Sequence, residues 1–305
     1  MTTQPMRLIV NPVAGAGRGA ALAPRLQDEL RRQGAEFDMV MTEGPDHAVD
    51  LARQAVTDGC RLVVAVGGDG TMHEVVNGLV VGGEVSADLV LGAVSCGTGA
   101  DFARTVGLER EPIAAAHRLV HGVDRRIDLG VIHCWREGKE MVEYFPNSAG
   151  LGFDGEVADR SNRMPKWLGA RIHYLLSLVI TLVAYRNKQV VVTLDDRTLE
   201  LRANFVVAAN GRYFGGGMHI APDATPDDGL FDVVIAGDVG KLELLKLVPS
   251  VYKGTHLSHP KAYVYRSRTV HVESTERMVL QADGELVGEA PVTFRLLPGA
   301  LTVRV

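Results

Sequence analysis

Residues 67–71, Gly-Gly-Asp-Gly-Thr, join the apolar run 63–66 to a stretch in which Met72, Val75, Val76 and Leu79 recur at i, i+3, i+4 and i+7. That pattern predicts a strand, a tight loop and a helix. A loop of this kind cradles phosphate, because backbone N–H groups at the start of a helix point at the ligand. The aspartate at its centre does not suit that role. A carboxylate about 4 Å from a phosphate oxygen is repelled by roughly 4 kcal/mol at an effective dielectric of 20. Asp69 therefore either turns away as a capping group or shares the site with a divalent cation set between carboxylate and phosphate. The second alternative makes this a phosphoryl-transfer site.

Two more glycine-bearing loops leave apolar runs in the same way: Asn-Pro-Val-Ala-Gly-Ala-Gly-Arg-Gly at 11–19 and Ser-Cys-Gly-Thr-Gly-Ala-Asp at 95–101. Thr71 with Glu74, and Thr98 with Asp101, have the spacing of capping boxes that open helices. The chain lacks G-x-x-x-x-G-K-[ST], so a P-loop is not supported, and Gly-Ala-Gly-Arg-Gly at 15–19 is not the G-x-G-x-x-G dinucleotide fingerprint. Phosphate must be held by another design.

The elements behind these loops follow from the alternation of short apolar runs (7–10, 37–42, 62–66, 89–94) with helix-like segments near 19–33, 46–58 and from 71. Such alternation predicts a doubly wound parallel sheet with helices on both faces. Ligands bind such a sheet beyond the carboxyl ends of its strands, where all three loops lie. From about residue 130 the pattern changes to strand-like runs (190–210, 229–238, 262–274) with helices near 166–186 and 240–254, which predicts an antiparallel sheet or β-sandwich.

The 305 residues carry 32 basic and 37 acidic side chains, a net charge of −5, so no global attraction to nucleic acid exists. Three scattered cysteines form no C-x-x-C pair and suit a reducing, cytoplasmic setting. The N-terminal segment does not read as a secretory signal. The apolar stretch 174–185 is about half of the roughly 20 residues a membrane-spanning helix needs and reads as a buried or interfacial helix.

Taken in order, 63–79, 97–107 (Gly-Thr-Gly-Ala-Asp), 125–130 (Arg-Arg-Ile-Asp-Leu-Gly), 147–158, 224–233 (Ala-Thr-Pro-Asp-Asp-Gly) and 281–305 resemble the diacylglycerol kinase catalytic-domain family, which includes bacterial lipid kinases and the sphingosine and ceramide kinases. The resemblance spans essentially the whole chain. It implies a nucleotide-binding kinase domain over 1–129, a β-rich lipid-substrate domain over 130–294, a tail at 295–305 that returns to the first, and an active site in the cleft between the two domains. It implies transfer of the γ-phosphoryl group of ATP, with Mg2+, to a lipid hydroxyl, diacylglycerol giving phosphatidic acid. Other lipids stay open as acceptors, as do an NAD kinase-like activity and a catalytically silent sensor.

The resemblance also carries site residues. Asn11, Pro12, Gly15, Thr42, Gly67, Gly68, Asp69, Gly70, Thr71 and Thr98 match nucleotide-contacting positions, and Asp69, Asp101 and Asp128 match a charged network around Mg-ATP. Asp228, with the backbone of Thr225 and Leu230, matches a second Mg2+ site. Glu285 and Asp283 match the place of the catalytic base, and Asp154 matches a lipid head-group contact. Asp283-Gly284 and Asp227-Asp228-Gly229 are equally good turn sequences on their own. The chain departs from the family where Ala100 replaces the usual Asn before Asp101.

A lipid substrate requires peripheral membrane contact. Arg160, Arg163, Lys166 and Arg171, with Trp167 among them, make a docking edge before the apolar helix, or simply a solvated helix end. A homodimer through exposed sheet edges is compatible with the sequence, and nothing in it requires one.

Overall fold

The computed structural model describes residues 6–97, 99–108, 111–163 and 170–305, with all side chains in those ranges except 161–163 and 170–175. Four strands, β1 (Met6–Val10), β2 (Phe37–Met41), β3 (Leu62–Gly67) and β6 (Val90–Ser95), form a parallel sheet in the order β2-β1-β3-β6. The two-residue strands β4 (Val80–Val81) and β5 (Glu84–Val85) make a separate hairpin between β3 and β6. Strand β3 is buried along its whole length, as expected of a run that is apolar on both faces.

Helices α2 (His47–Thr57), α3 (Asp69–Leu79) and α4 (Asp101–Thr105) cover one face of the sheet, and α1 (Ala14–Arg32) and α5 (Pro112–His121) cover the other. The α2 side chains in the core are Ala48, Ala52 and Ala55, and their small size draws α3 in closely. At Gly78 the approach leaves no room for a side chain, since a Cβ there would lie 2.3 Å from the Val49 carbonyl oxygen. Helix α1 begins earlier than the apolar spacing predicts. Its first turn is broken at Gly15, Ala16 and Gly17, all at positive φ, so the regular helix starts after Gly17.

The second domain is antiparallel. Strand β9 (Ser148–Gly152) lies between β12 (Phe205–Ala209) and β16 (Val279–Ala282), and β13 (Phe231–Ala236) and β14 (Ala262–Ser267) extend the ladder beyond β12. The hairpin of β10 (Lys188–Thr193) and β11 (Thr198–Ala203) joins through β15 (Thr269–Ser274). Phe145, Phe231 and Phe294 are fully buried at the centre of its core. Helices α6 (Phe153–Arg163), α7 (Ala170–Ala184) and α8 (Lys241–Lys253) lie outside the sheet. No described helix is long and apolar enough to cross a membrane.

Strand β17 (Glu285–Arg304) links the halves. It runs antiparallel to β16, to β15 and to the long β7 (Asp124–Arg136), and then Thr302 and Val303 pair in parallel with Val90 and Leu91 of β6. The edge of β7 is closed by β8 (Lys139–Phe145). Leu301 and Val303 are fully buried in the core of the first domain.

Candidate active site

The three glycine loops meet. A Cβ on Gly15 would lie 2.1 Å from the Cys96 carbonyl oxygen, and one on Gly97 would lie 2.7 Å from the Cα of Gly68. Glycine is required at both because backbone passes against backbone. Asn11 donates from Nδ2 to Thr71 Oγ1 at 3.0 Å, tying the first loop to α3, and the Thr42 N–H extends the β1–β2 pairing by donating to the Val10 carbonyl at 2.8 Å. Pro12 begins the turn that enters α1. Thr98 lies outside the described residues.

The capping box of Thr71 and Glu74 does not form as the spacing predicts. Helix α3 starts at Asp69 with Gly68 as its N-cap, two residues early, so Thr71 falls inside the first turn and meets Asn11, while Glu74 Oε2 accepts the N–H of Ala48. The start of α3 is left without a side-chain cap, as an anion site requires. Helix α4 is capped from another loop: Asp69 Oδ1 accepts the N–H groups of Asp101 at 2.8 Å and Phe102 at 3.3 Å. One oxygen of Asp69 is thus a capping group, and the residue still faces a cavity.

That cavity, about 370 Å3, opens between the domains. At its polar end stand Asp69, Asp101, Asp283 and Asp154; its walls are apolar, among them Phe153, Val157, Leu182, Phe205, Val207 and Leu244. Burial, with the charge of Asp101 next and that of Asp283 also contributing, pushes the Asp69 carboxyl up to about 6 against the pull of two backbone N–H groups. Burial likewise raises Asp101, opposed by the Gly216 N–H and by Arg104, which donates to its Oδ1 at 3.0 Å. The Gly216 N–H comes from the second domain and reaches Asp101 Oδ2 at 2.7 Å.

Asp283 and Gly284 form the two-residue turn between β16 and β17, with φ of 50° and 93°. Two positive φ angles in succession are what such a turn needs, so turn chemistry and cavity lining coincide here. Asp283 Oδ1 accepts the Ser148 N–H at 3.0 Å, and Oδ2 lies 3.3 Å from His73 Nδ1. Glu285, the first residue of β17, is exposed, with its carboxylate against the first turn of α3: a Cβ on Gly70 would lie 2.4 Å from Glu285 Oε1. Carboxylates are favoured at a helix N-terminus.

Asp154 Oδ2 accepts from Gln281 Nε2 at 3.0 Å, and the Gln281 Oε1 accepts the Gly284 N–H at 2.8 Å, so the head-group candidate is wired to the turn. Burial pushes the Asp154 carboxyl up to about 6, opposed by the Gln281 donation. A carboxyl whose folded-state pKa exceeds the ordinary ~3.9 is stabilising when protonated: the benefit is full below about pH 4 and is lost as pH rises through about 6. Asp154→Asn keeps an acceptor for Gln281 and removes the charge. It is expected to raise stability at pH 8 by up to about 3 kcal/mol and to change it little at pH 4, as read by thermal melts of the lipid-free protein at the two pH values.

Asp128 and Asp228 lie apart from the cavity. Asp128 is buried, and its two oxygens accept the N–H groups of Gly299 and Gly229, each at 2.7 Å, stitching β17 to the 227–229 turn. Asp228 is paired with Arg266 and also accepts the Leu230 N–H at 3.1 Å, while the Thr225 carbonyl accepts the Asp228 N–H at 3.4 Å. Arg266 and the Leu230 N–H already hold the two oxygens of this carboxylate. Among the described residues no group of three or more His, Cys, Asp or Glu is gathered to hold a metal.

Three participants escaped the sequence reading. His73 was signalled by its place four residues after Asp69, on the same helix face. Gly216 and Glu143 carried no signal.

Residues 5–132 match the family model of the diacylglycerol kinase catalytic domain, and residues 147–305 match that of the YegS C-terminal NAD kinase beta sandwich-like domain. A diacylglycerol kinase of Mycobacterium tuberculosis (strain CDC 1551 / Oshkosh) is 33% identical to this chain, over 97% of it and 93% of the relative. The chain belongs to the diacylglycerol kinase family. Membership makes it a lipid kinase, and it meets the expectation raised by the ordered motifs. A diacylglycerol kinase of Bacillus subtilis (strain 168) is 29% identical over 94% of this family member and 92% of its own length. The fold is shared with a crystal structure of a diacylglycerol kinase from Bacillus anthracis str. Sterne (TM-score 0.73, 20% identity, 100% of this chain and 97% of that one). It is shared more distantly with yeast NADH kinase in complex with NADH (TM-score 0.53, 11% identity, 99% and 83%). The α/β architecture expected of the two halves, parallel sheet then antiparallel sandwich, is the one observed.

Proposed function

We propose that this lipid kinase transfers the γ-phosphoryl group of ATP to the free hydroxyl of diacylglycerol, giving phosphatidic acid. The observation that carries the reading is a cavity with a carboxylate-rich end at the glycine loops and walls that are otherwise mostly apolar. Asp69 belongs both to the glycine loop to which we assign the nucleotide and to the wall of the cavity to which we assign the lipid. An alcohol is a poor nucleophile, so a carboxylate must accept its proton, and alignment of the two substrates must supply much of the rest. The Glu285 carboxylate has no hydrogen bond to another described group and is the base we assign; Asp283, held on both oxygens, lies two residues before it at the same turn.

Asp69 fits a Mg2+ ion in kind, since the nearby charge of Asp101, itself paired with Arg104, raises it and Mg2+ is ordinarily held by one or two carboxylates plus substrate phosphates. Bound there, Mg2+ would neutralise the phosphate charge. This chain's own residues orient the loops, exclude water from the apolar cavity and take the proton.

Access from a bilayer is supported by α7 and α8. Leu178 and Leu182 of α7 and Leu244 and Val248 of α8 line the cavity, while Val179, Val183 and Leu242 of the same helices are exposed. Apolar residues on both sides of a helix suit insertion at an interface. Of the basic edge read from the sequence, Arg160 instead donates to Thr181 Oγ1 at 3.1 Å; Lys166 and Trp167, and the side chains of Arg163 and Arg171, lie outside the described residues. Three free, buried cysteines support a cytoplasmic setting.

The test is phosphorylation with labelled ATP of diacylglycerol, ceramide, sphingosine, phosphatidylglycerol and NAD, each lipid presented in vesicles. Diacylglycerol is expected to give the highest kcat/KM. Preference for another acceptor overturns the substrate assignment, and preference for NAD overturns the lipid reading of the cavity.

A further inference from the structure

We propose that His73 is a positioning residue for the acidic turn, clamped between Glu143 and Asp283 so that Asp283 is held at a fixed angle to the transferring group. The proposal rests on the reading of the cavity as the phosphoryl-transfer site. His73 is fully enclosed on α3, with Nδ1 3.3 Å from Asp283 Oδ2 and Nε2 3.1 Å from Glu143 Oε1. A ring that faces an acceptor at each nitrogen donates from both only as the imidazolium. Burial alone would lower its pKa; the hydrogen bonds and charges of the two carboxylates outweigh that and lift it to about 10.

The surroundings are built for this. Glu143 arrives on β8, and its neighbour Tyr144 exchanges hydrogen bonds with Asn77 one turn along α3: the Asn77 Nδ2 donates to the Tyr144 carbonyl and the Tyr144 N–H donates to Asn77 Oδ1, both at 2.9 Å. Asn77 Nδ2 also donates to the His73 carbonyl at 2.9 Å. Strand β8 is thereby fixed on the helix at the point where Glu143 meets His73. From α2, Ala48, Ala52 and Ala55 are buried in the shared core and Leu51 and Val56 pack against it, none of them charged, so the acidic groups that act on the ring are Glu143 from β8 and Asp283 from the turn.

Two consequences follow for the reaction. Asp69 and Asp283 are close enough to raise the pKa of Asp69, and a cation on the far side of Asp283 offsets the repulsion between them. Asp283 also precedes Glu285 by two residues in a tight turn, so anchoring Asp283 to α3 through His73 fixes where the exposed Glu285 carboxylate is presented.

The test uses the full chain with diacylglycerol vesicles and ATP. His73→Gln, His73→Ala and Glu143→Gln are compared with Asp283→Asn and with the double variant His73→Gln/Asp283→Asn, after thermal melts establish which variants are folded. His73→Gln is expected to lower kcat by about 10- to 100-fold with the KM for ATP within threefold, and to move the acid limb of the pH–kcat profile upward, because the acidic turn has lost the cation that His73 supplies. In the Asp283→Asn background the same substitution is expected to cost less than threefold, since residues acting as a unit are not additive. Glu143→Gln, on a half-buried strand position, is expected to show the same pH shift in smaller measure and remains informative if the His73 variants fail to fold. An unmoved acid limb in a folded His73 or Glu143 variant, or full additivity with Asp283→Asn, overturns the proposal. An Asp283→Asn variant with unchanged kcat overturns the site reading beneath it instead.

Discussion

Glu285→Gln is expected to lower kcat for lipid phosphorylation by about 10²- to 10⁴-fold, the range that a positioned general base contributes. That loss corresponds to about 3–5 kcal/mol of transition-state stabilisation. Of the candidate acids at the cavity, Asp69 spends one oxygen capping α4, and Asp283 is held by Ser148 and His73. The Glu285 side chain is exposed, unheld by other described groups and seated against the first turn of α3, the helix end at which the proposed function puts the phosphates. Glutamine preserves its shape and removes its basicity. The KM for ATP should stay within threefold, because the nucleotide loops are untouched; steady-state kinetics with saturating diacylglycerol vesicles read both values. A folded variant that retains more than a third of the wild-type kcat removes Glu285 as the base and shifts attention to Asp283.

The largest expected effect on stability is at Phe145. Its ring is fully buried, stacks on Phe231 with centroids 5.7 Å apart and meets Phe294 edge-on at 6.2 Å. It also fills the space above Gly130, where a Cβ would lie 2.3 Å from the ring. Phe145→Ala removes a side chain that the rigid neighbours of a sandwich core cannot replace, and is expected to cost about 3–5 kcal/mol. Against a typical stability of about 5–15 kcal/mol this leaves the protein marginal. Urea unfolding should show a lower midpoint at an unchanged slope. Gly130→Ala tests the same contact from the other side and should cost about 1–3 kcal/mol by overpacking.

How far the sequence revealed the site depended on the range of each interaction. The glycine loops were legible because backbone crossing backbone demands glycine, and the demand is written at each position. The turn at Asp283-Gly284 was legible for the same reason, since its two positive φ angles select that dipeptide. The start of α3 was misjudged: threonine and glutamate spacing signalled a capping box, yet the helix begins at Asp69 and tertiary partners, Asn11 and the Ala48 N–H, claimed both side chains. The sequence allows Asp69 two alternatives, and the structure uses its Oδ1 as a cap for a helix 32 positions away in sequence. Nothing local marks such a cap. Ala100, the departure from the family pattern, lies at φ 54°, in the left-handed region that Asn enters more easily than Ala. Glu143 could not be read at all, because its role depends on a strand pairing and a helix contact that no short window contains.

The lateral order of strands has a consequence for how the molecule is assembled during synthesis. In the completed sheet β17 lies between β6 and β7, so β6 is an open edge until the entire antiparallel half has been translated. An unpaired edge in a growing polypeptide is a template for wrong partners, another nascent copy included. The parallel half therefore cannot mature as an independent early unit, although its helices and first four strands are contiguous in sequence. Its last buried residues, Leu301 and Val303, arrive only after the sandwich, so the ATP-side scaffold is finished by the same stretch of chain that begins at Glu285 in the cleft.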